Sequence, residues 1–200
     1  NIDAMDTQFE IVIVYKPLEL KKIKQVTIPK CIRYNEMYDI RWTLKEITES
    51  GSQLVICHHL NDCESYQKMN LPGVQFVYIG HCAEQTVFKD YQVPKKYDIM
   101  LGGKLSSHYP LRNRLYNILL QLRNQYTIYI HPHPGYDLND AHTNKYLIDF
   151  AKKINESKIV VTDSGKPRTR FGKYIEVPAC NTVLAADFPL DSADDYSYLI

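Results

Sequence analysis

Short runs of β-branched and aromatic residues alternate along the chain with longer stretches whose apolar positions recur every three or four residues. FEIVIVY (9–15), LVIC (54–57) and VQFVYI (74–79) read as strands, and VTI (26–28) as a further short strand ending at Pro29. Residues 35–50 carry Met37, Ile40, Trp42, Leu44 and Ile47 at helical spacing, with Gly51 as the stop. Asn61 or Asp62 is placed to cap a short helix running to Met69. KDYQVPKK (89–96), polar and broken by Pro94, reads as a linker, after which the pattern restarts. YDIML (97–101), TIYI (127–130), the β-branched run at 159–161 and TVLAA (182–186) are strands. Helices are expected over 109–125, with Pro110 in the first turn, over 140–155, and around Lys173 to Glu176.

Strands alternating with helices in both halves predict an α/β protein with mostly parallel sheets. The linker divides it into two Rossmann-like units, 1–90 and 91–200, with a cleft between them as the expected ligand position.

Composition narrows the class. The 200 residues, 44% hydrophobic and 24% charged, suffice for a real core, and the net charge of +1 supplies no overall basic field for nucleic acid. The five cysteines are scattered without a C-x-x-C pair, which fits free thiols in the cytoplasm better than a disulfide framework. No apolar run approaches the roughly 20 residues of a membrane helix, and the start has no signal-peptide pattern. The polar opening and the Tyr198-Leu199-Ile200 ending fit a domain cut from a longer polypeptide.

Polar chemistry gathers after the strands of the second half. Gly102-Gly103-Lys104 precedes a helix with Arg112 and Arg114 near its start, and glycines with a helix N-terminus suit a phosphate; a flexible turn with solvated arginines is the plainer reading. In His131-Pro132-His133-Pro134 both histidines precede proline and are held extended, so their imidazoles face one side. A diphosphate or sugar contact is the favoured use; zinc lacks a third ligand at standard spacing. Thr162-Asp163-Ser164-Gly165 ends a strand and leads into Lys166, Arg168, Arg170 and Lys173, an anion site with Glu176 able to accept from a ribose diol. The bland alternatives are a solvated basic loop and a Lys173–Glu176 pair on an exposed helix. In the first half, His58-His59 with Asp62, and His81 with Glu84, follow strands and are candidate general bases.

YDIMLGG…YPLRNRLYNILLQL, IYIHPHPGY and SKIVVTDSG…RFGKYIEVPACNTVLAADFP stand in the order seen in GT-B glycosyltransferases, and VYIGHCAEQTVF resembles their inter-domain passage. The chain resembles most the group-1-like transferases that include CgeB-type spore-maturation proteins. HPHP and TDSG are also similar to the glycerophosphotransferases of teichoic acid synthesis. The resemblance covers residues 74–191 and hardly touches the first 70. It implies a compact GT-B-like arrangement that moves a hexose or deoxyhexose such as rhamnose from a UDP-, GDP- or dTDP-linked donor to a glycan hydroxyl. It implies no metal and no cofactor beyond that donor. Glu176 matches the family's ribose-binding glutamate, and Arg112, Arg170 and Lys173 its diphosphate-binding cations. Gly102, Gly103, His131, His133, Asp163, Ser164 and Tyr174 complete the expected donor side, with His59 and Asp62 as catalytic candidates. Asn181 stands where the family usually has glycine; asparagine is the next residue able to take a left-handed helix end. The rival readings are a nucleotide-sugar epimerase and a non-catalytic nucleotide-sugar-binding module.

Overall fold

The computed structural model describes residues 9–15, 23–34, 37, 39–135 and 140–191. The chain divides into two compact units between Gly80 and His81, upstream of the boundary expected at residue 90. Each unit holds a four-stranded, all-parallel sheet. No helix of the described residues is long and apolar enough to cross a membrane.

In the first unit the strands are β1 (Val12–Tyr15), β2 (Lys30–Tyr34), β3 (Leu54–Cys57) and β4 (Gln75–Tyr78), joined side by side in chain order. Helix α1 (Ile40–Ser50) links β2 to β3, and α2 (Leu60–Gln67) links β3 to β4. The strand expected over 26–28 is instead displaced past the proline: Pro29 O accepts from Val12 N (3.0 Å), and pairing starts at Lys30. Asp39 fixes the start of α1 by accepting from Trp42 N (3.0 Å), so the helix opens later than the expected residue 35. Residues 35, 36 and 38 of that expected helix lie outside the described residues. His59, rather than Asn61 or Asp62, stands at the cap position of α2. Val55 and Phe76, in register across β3 and β4, pack with Met37, Ile47, Cys63 and Tyr66.

The second unit contains β5 (Tyr97–Leu101), α3 (Pro110–Gln121), β6 (Ile128–Ile130), α4 (Asp140–Asn155), β7 (Ser157–Val161), α5 (Lys173–Ala179) and β8 (Val183–Ala185). Its strand order is β6-β5-β7-β8. From β5 the chain steps to one side, then crosses back to β7 on the other. Such a reversal opens a crevice beyond the carboxyl ends of the two strands that flank it, here β5 and β7. The core joins Met100 and Val160 of those strands to Phe150, Ala151 and Ile154 of α4, Val177 of α5, and Phe88.

The segment expected to be a linker is tied into this unit. Phe88 meets Phe150 edge to face (6.4 Å between ring centres). Asn155, buried at the end of α4, accepts from Tyr91 N (2.7 Å) and donates to Lys89 O (2.9 Å). Local polarity concealed the fastening, because one asparagine 64 residues away in sequence from Tyr91 satisfies the backbone there. Asn181 ends α5 at φ 51°, with its own N–H donating to Pro178 O and that of Thr182 to Val177 O, the paired bonds of a Schellman end.

Candidate functional site

The residues after β5, β6 and β7, with the start of α5, form the candidate site. Gly103 has φ +106°, a conformation reserved in practice for glycine, and a Cβ there would stand 2.5 Å from Arg112 Nη1 and 3.1 Å from Lys173 Cε. Gly102 lies beneath the Phe150 ring. Gly103 therefore serves a close approach of two cationic side chains to the backbone after β5, and Gly102 that of the Phe150 ring.

Arg112 does not offer its charge to a ligand as expected. It is 2% exposed, and its Nη2 lies 2.7 Å from Asp163 Oδ1 as an ion pair. Nη1 donates to Lys104 O (2.9 Å), and Nη2 to Asp163 O (3.2 Å) and Thr162 Oγ1 (3.3 Å). Asp163 Oδ2 also accepts from Arg112 N (3.0 Å). The first turn of α3, which has no side-chain cap of its own at Tyr109, is thus capped by a carboxylate from the β7 loop. The helix N-terminus expected to hold phosphate already holds Asp163. Burial pushes the Asp163 carboxyl up, against the pull of the Arg112 charge and amide.

Ser164 and Tyr174 are likewise committed. Ser164 N and Oγ donate to the two oxygens of Asp187 (2.7 and 2.5 Å), and the Tyr174 hydroxyl donates to Asp187 O (2.8 Å). Asp187 was not among the sequence candidates; its place directly after the last strand in ADFP was the available signal. Arg170 N donates to Asp191 Oδ1, and Leu190 N to Arg168 O, so the cationic loop is laid against residues 187–191.

Lys173 remains beside Gly103, and its charge bears on His131, His133 and Glu176. The Lys173 ammonium lies 5.5 Å over the Phe150 ring, and burial pushes its pKa down while Glu176 pulls it up. Glu176 folds back onto Gly172 at the start of α5, where a Cβ would meet its Oε1 at 2.7 Å; burial pushes the carboxyl up and Lys173 opposes. His131 is 6% exposed and ringed by Phe150, Tyr146 and Tyr129 (centroids 4.9, 5.2 and 5.8 Å away). Neither of its ring nitrogens has a hydrogen-bond partner among the described residues. Burial, then the charge of Lys173, lowers its pKa to about 4. His133 Nδ1 accepts from Gly135 N (3.0 Å), and burial, then the charges of Lys173, Lys104 and Arg112, lower its pKa. Both histidines contact the Tyr146 ring (5.2 and 6.2 Å between centroids), and His131 is also walled by Phe150 and Tyr129. Tyr129, two residues before it on β6, and the i, i+4 pair Tyr146 and Phe150 on α4 supply that wall.

In the first unit, His59 is 1% exposed and Asp62 sits in the first turn of α2, its Oδ2 accepting from Met37 N (3.1 Å). The neighbouring His58 has Nδ1 2.6 Å from Ile79 O. His58 and Asp62 thereby tie together segments of their own unit. Among the described residues no group of three or more His, Cys, Asp or Glu stands close enough to share a metal ion. All five cysteines are free thiols. No protein-family model matches the chain, and no curated protein matches it either.

Proposed function

We propose that the second unit binds a nucleoside-diphosphate sugar beyond the carboxyl ends of β5 and β7, and that the protein transfers the sugar to a glycan hydroxyl in the cytoplasm. The observation that carries this reading is the gathering of Gly103, Lys173, His131, His133 and Glu176 at the point where the strand order reverses. Lys173 is the cation for the diphosphate. Glu176, at the far side of Lys173, suits the ribose hydroxyls. Arg112, paired with Asp163, acts behind them by holding the backbone at Lys104, next to Gly103. Charge developing on the departing nucleoside diphosphate would meet fixed donors in a partly dry setting, an electrostatic contribution that costs no reorganisation.

A second reading, a nucleotide-sugar-binding module without transfer, draws on the bracing role of Asp62 against Met37 N. An epimerase needs carboxylates around the sugar, and Asp163 and Asp187 are already engaged by Arg112, Ser164 and Tyr174. Calorimetry with UDP, GDP and dTDP, followed by turnover of their hexose derivatives with glycan acceptors, separates the readings. Binding with turnover supports the transferase, and binding without turnover supports the module. No binding by any of the three excludes both.

A further inference from the structure

The imidazole of His131 is buried, with neither ring nitrogen hydrogen-bonded among the described residues. An orphan of this kind calls for a physical cause. Three aromatic rings wall it in, so the missing partner has to arrive from the open end of the strands, where Lys173 lies. We propose that a phosphoryl oxygen of the bound nucleotide is that partner, and that His131 takes up a proton from solvent as the nucleotide docks.

This rests on the nucleotide-binding reading above and adds to it a proton-linked step at a named residue. The charges around His131 set the direction. From α5 it faces Lys173, from α4 Asp149 and Lys153, and from its own segment His133. Lys104 and Arg112 bear in turn on His133. The cations outweigh Asp149 while the site is empty, and with burial they keep the ring neutral. A diphosphate placed among them reverses the balance: it screens Lys173 and puts an anion beside the ring, which favours the imidazolium. Linkage then requires tighter binding as pH falls, since the complex holds a proton that the free protein does not. Each pH unit by which the ligand raises the His131 pKa corresponds to about tenfold in affinity. His131 would therefore favour diphosphates over neutral nucleosides most strongly in mild acid.

The test uses UDP-, GDP- and dTDP-linked hexoses, whose phosphodiester groups do not themselves titrate in the window where histidine does. Calorimetry of the wild-type protein in buffers of different ionisation enthalpy reads proton uptake directly and needs no variant. Uptake of a proton, with affinity rising about tenfold as pH drops by about one to two units below neutrality, is expected. His131→Gln should abolish both the uptake and the rise, because glutamine still hydrogen-bonds but does not titrate. His133→Gln should still take up the proton, whatever its own affinity. Binding with no proton uptake would overturn the proposal and leave the nucleotide reading standing. Loss of uptake in His133→Gln but not in His131→Gln would overturn the assignment to His131. If none of the three sugars binds at any pH, both the reading and the proposal fall.

Discussion

Arg112 and Asp163 show how a side chain's neighbours decide its chemistry. Asp163 accepts from Arg112 N and faces its guanidinium, so Asp163→Asn leaves a buried guanidinium short of its counter-charge. Breaking one partner of such a pair costs about 3–5 kcal/mol, readable as a lower urea midpoint for the second unit. His131 carries a separate acid sensitivity. Its folded pKa of about 4 lies below the ordinary histidine value, so the native state binds fewer protons than the unfolded one. Its contribution is intact above about pH 6.5 and is lost as pH falls from there toward about 4, amounting to about 3 kcal/mol when complete. Denaturant titrations at pH 7.5 and pH 5 should differ accordingly in the ligand-free protein, and His131→Phe should remove most of that difference. Glu176→Ala should weaken nucleotide binding by roughly tenfold to a hundredfold, the scale of one or two hydrogen bonds to a charged group, with little loss of stability. Unchanged calorimetric affinity would remove Glu176 from the ribose role.

Among the elements, those with clear periodicity were legible from the sequence. LVIC and YDIML are β3 and β5 residue for residue, and α4 spans the expected 140–155. What was hidden depended on partners distant in sequence. Nothing local in KDYQVPKK announces that Asn155 holds its backbone. Asn155→Ala should cost about 1–3 kcal/mol and expose the amide of Tyr91 to hydrogen exchange. The same limit governed the site. The cations of the 166–173 loop, the serine and the glycines were visible, but not that Asp187 would occupy Ser164, or that Asp163 would cap α3. Asn181 was legible for the opposite reason: its left-handed turn is decided within a few residues. Asn181→Gly should therefore be tolerated, while Asn181→Val should cost about 1–3 kcal/mol, measured by thermal unfolding.

For the whole molecule, two separate cores predict separable responses to damage. Phe150 belongs to the cluster of the second unit, and Val55 to that of the first. Phe150→Ala should cost about 3–5 kcal/mol and strip exchange protection from β5 and β7 while leaving β3 protected. The two sheets also differ in what they offer chemistry. The first runs β1-β2-β3-β4 without reversing, so it creates no switch-point crevice among its described strands; the second does reverse, and its candidate residues collect there.

The carboxylate cap on α3 has a consequence for the order in which the protein is built. The amide it satisfies belongs to Arg112, and the cap is 51 residues later in the chain. A ribosome that has just released α3 has released a helix whose first turn cannot yet be closed. β6, α4 and β7 must follow before Asp163 arrives. Loops of that length close late, because their entropy is lost before the contact gives anything back. The Arg112–Asp163 contact is then a final latch, and weakening it should quicken unfolding far more than it slows folding.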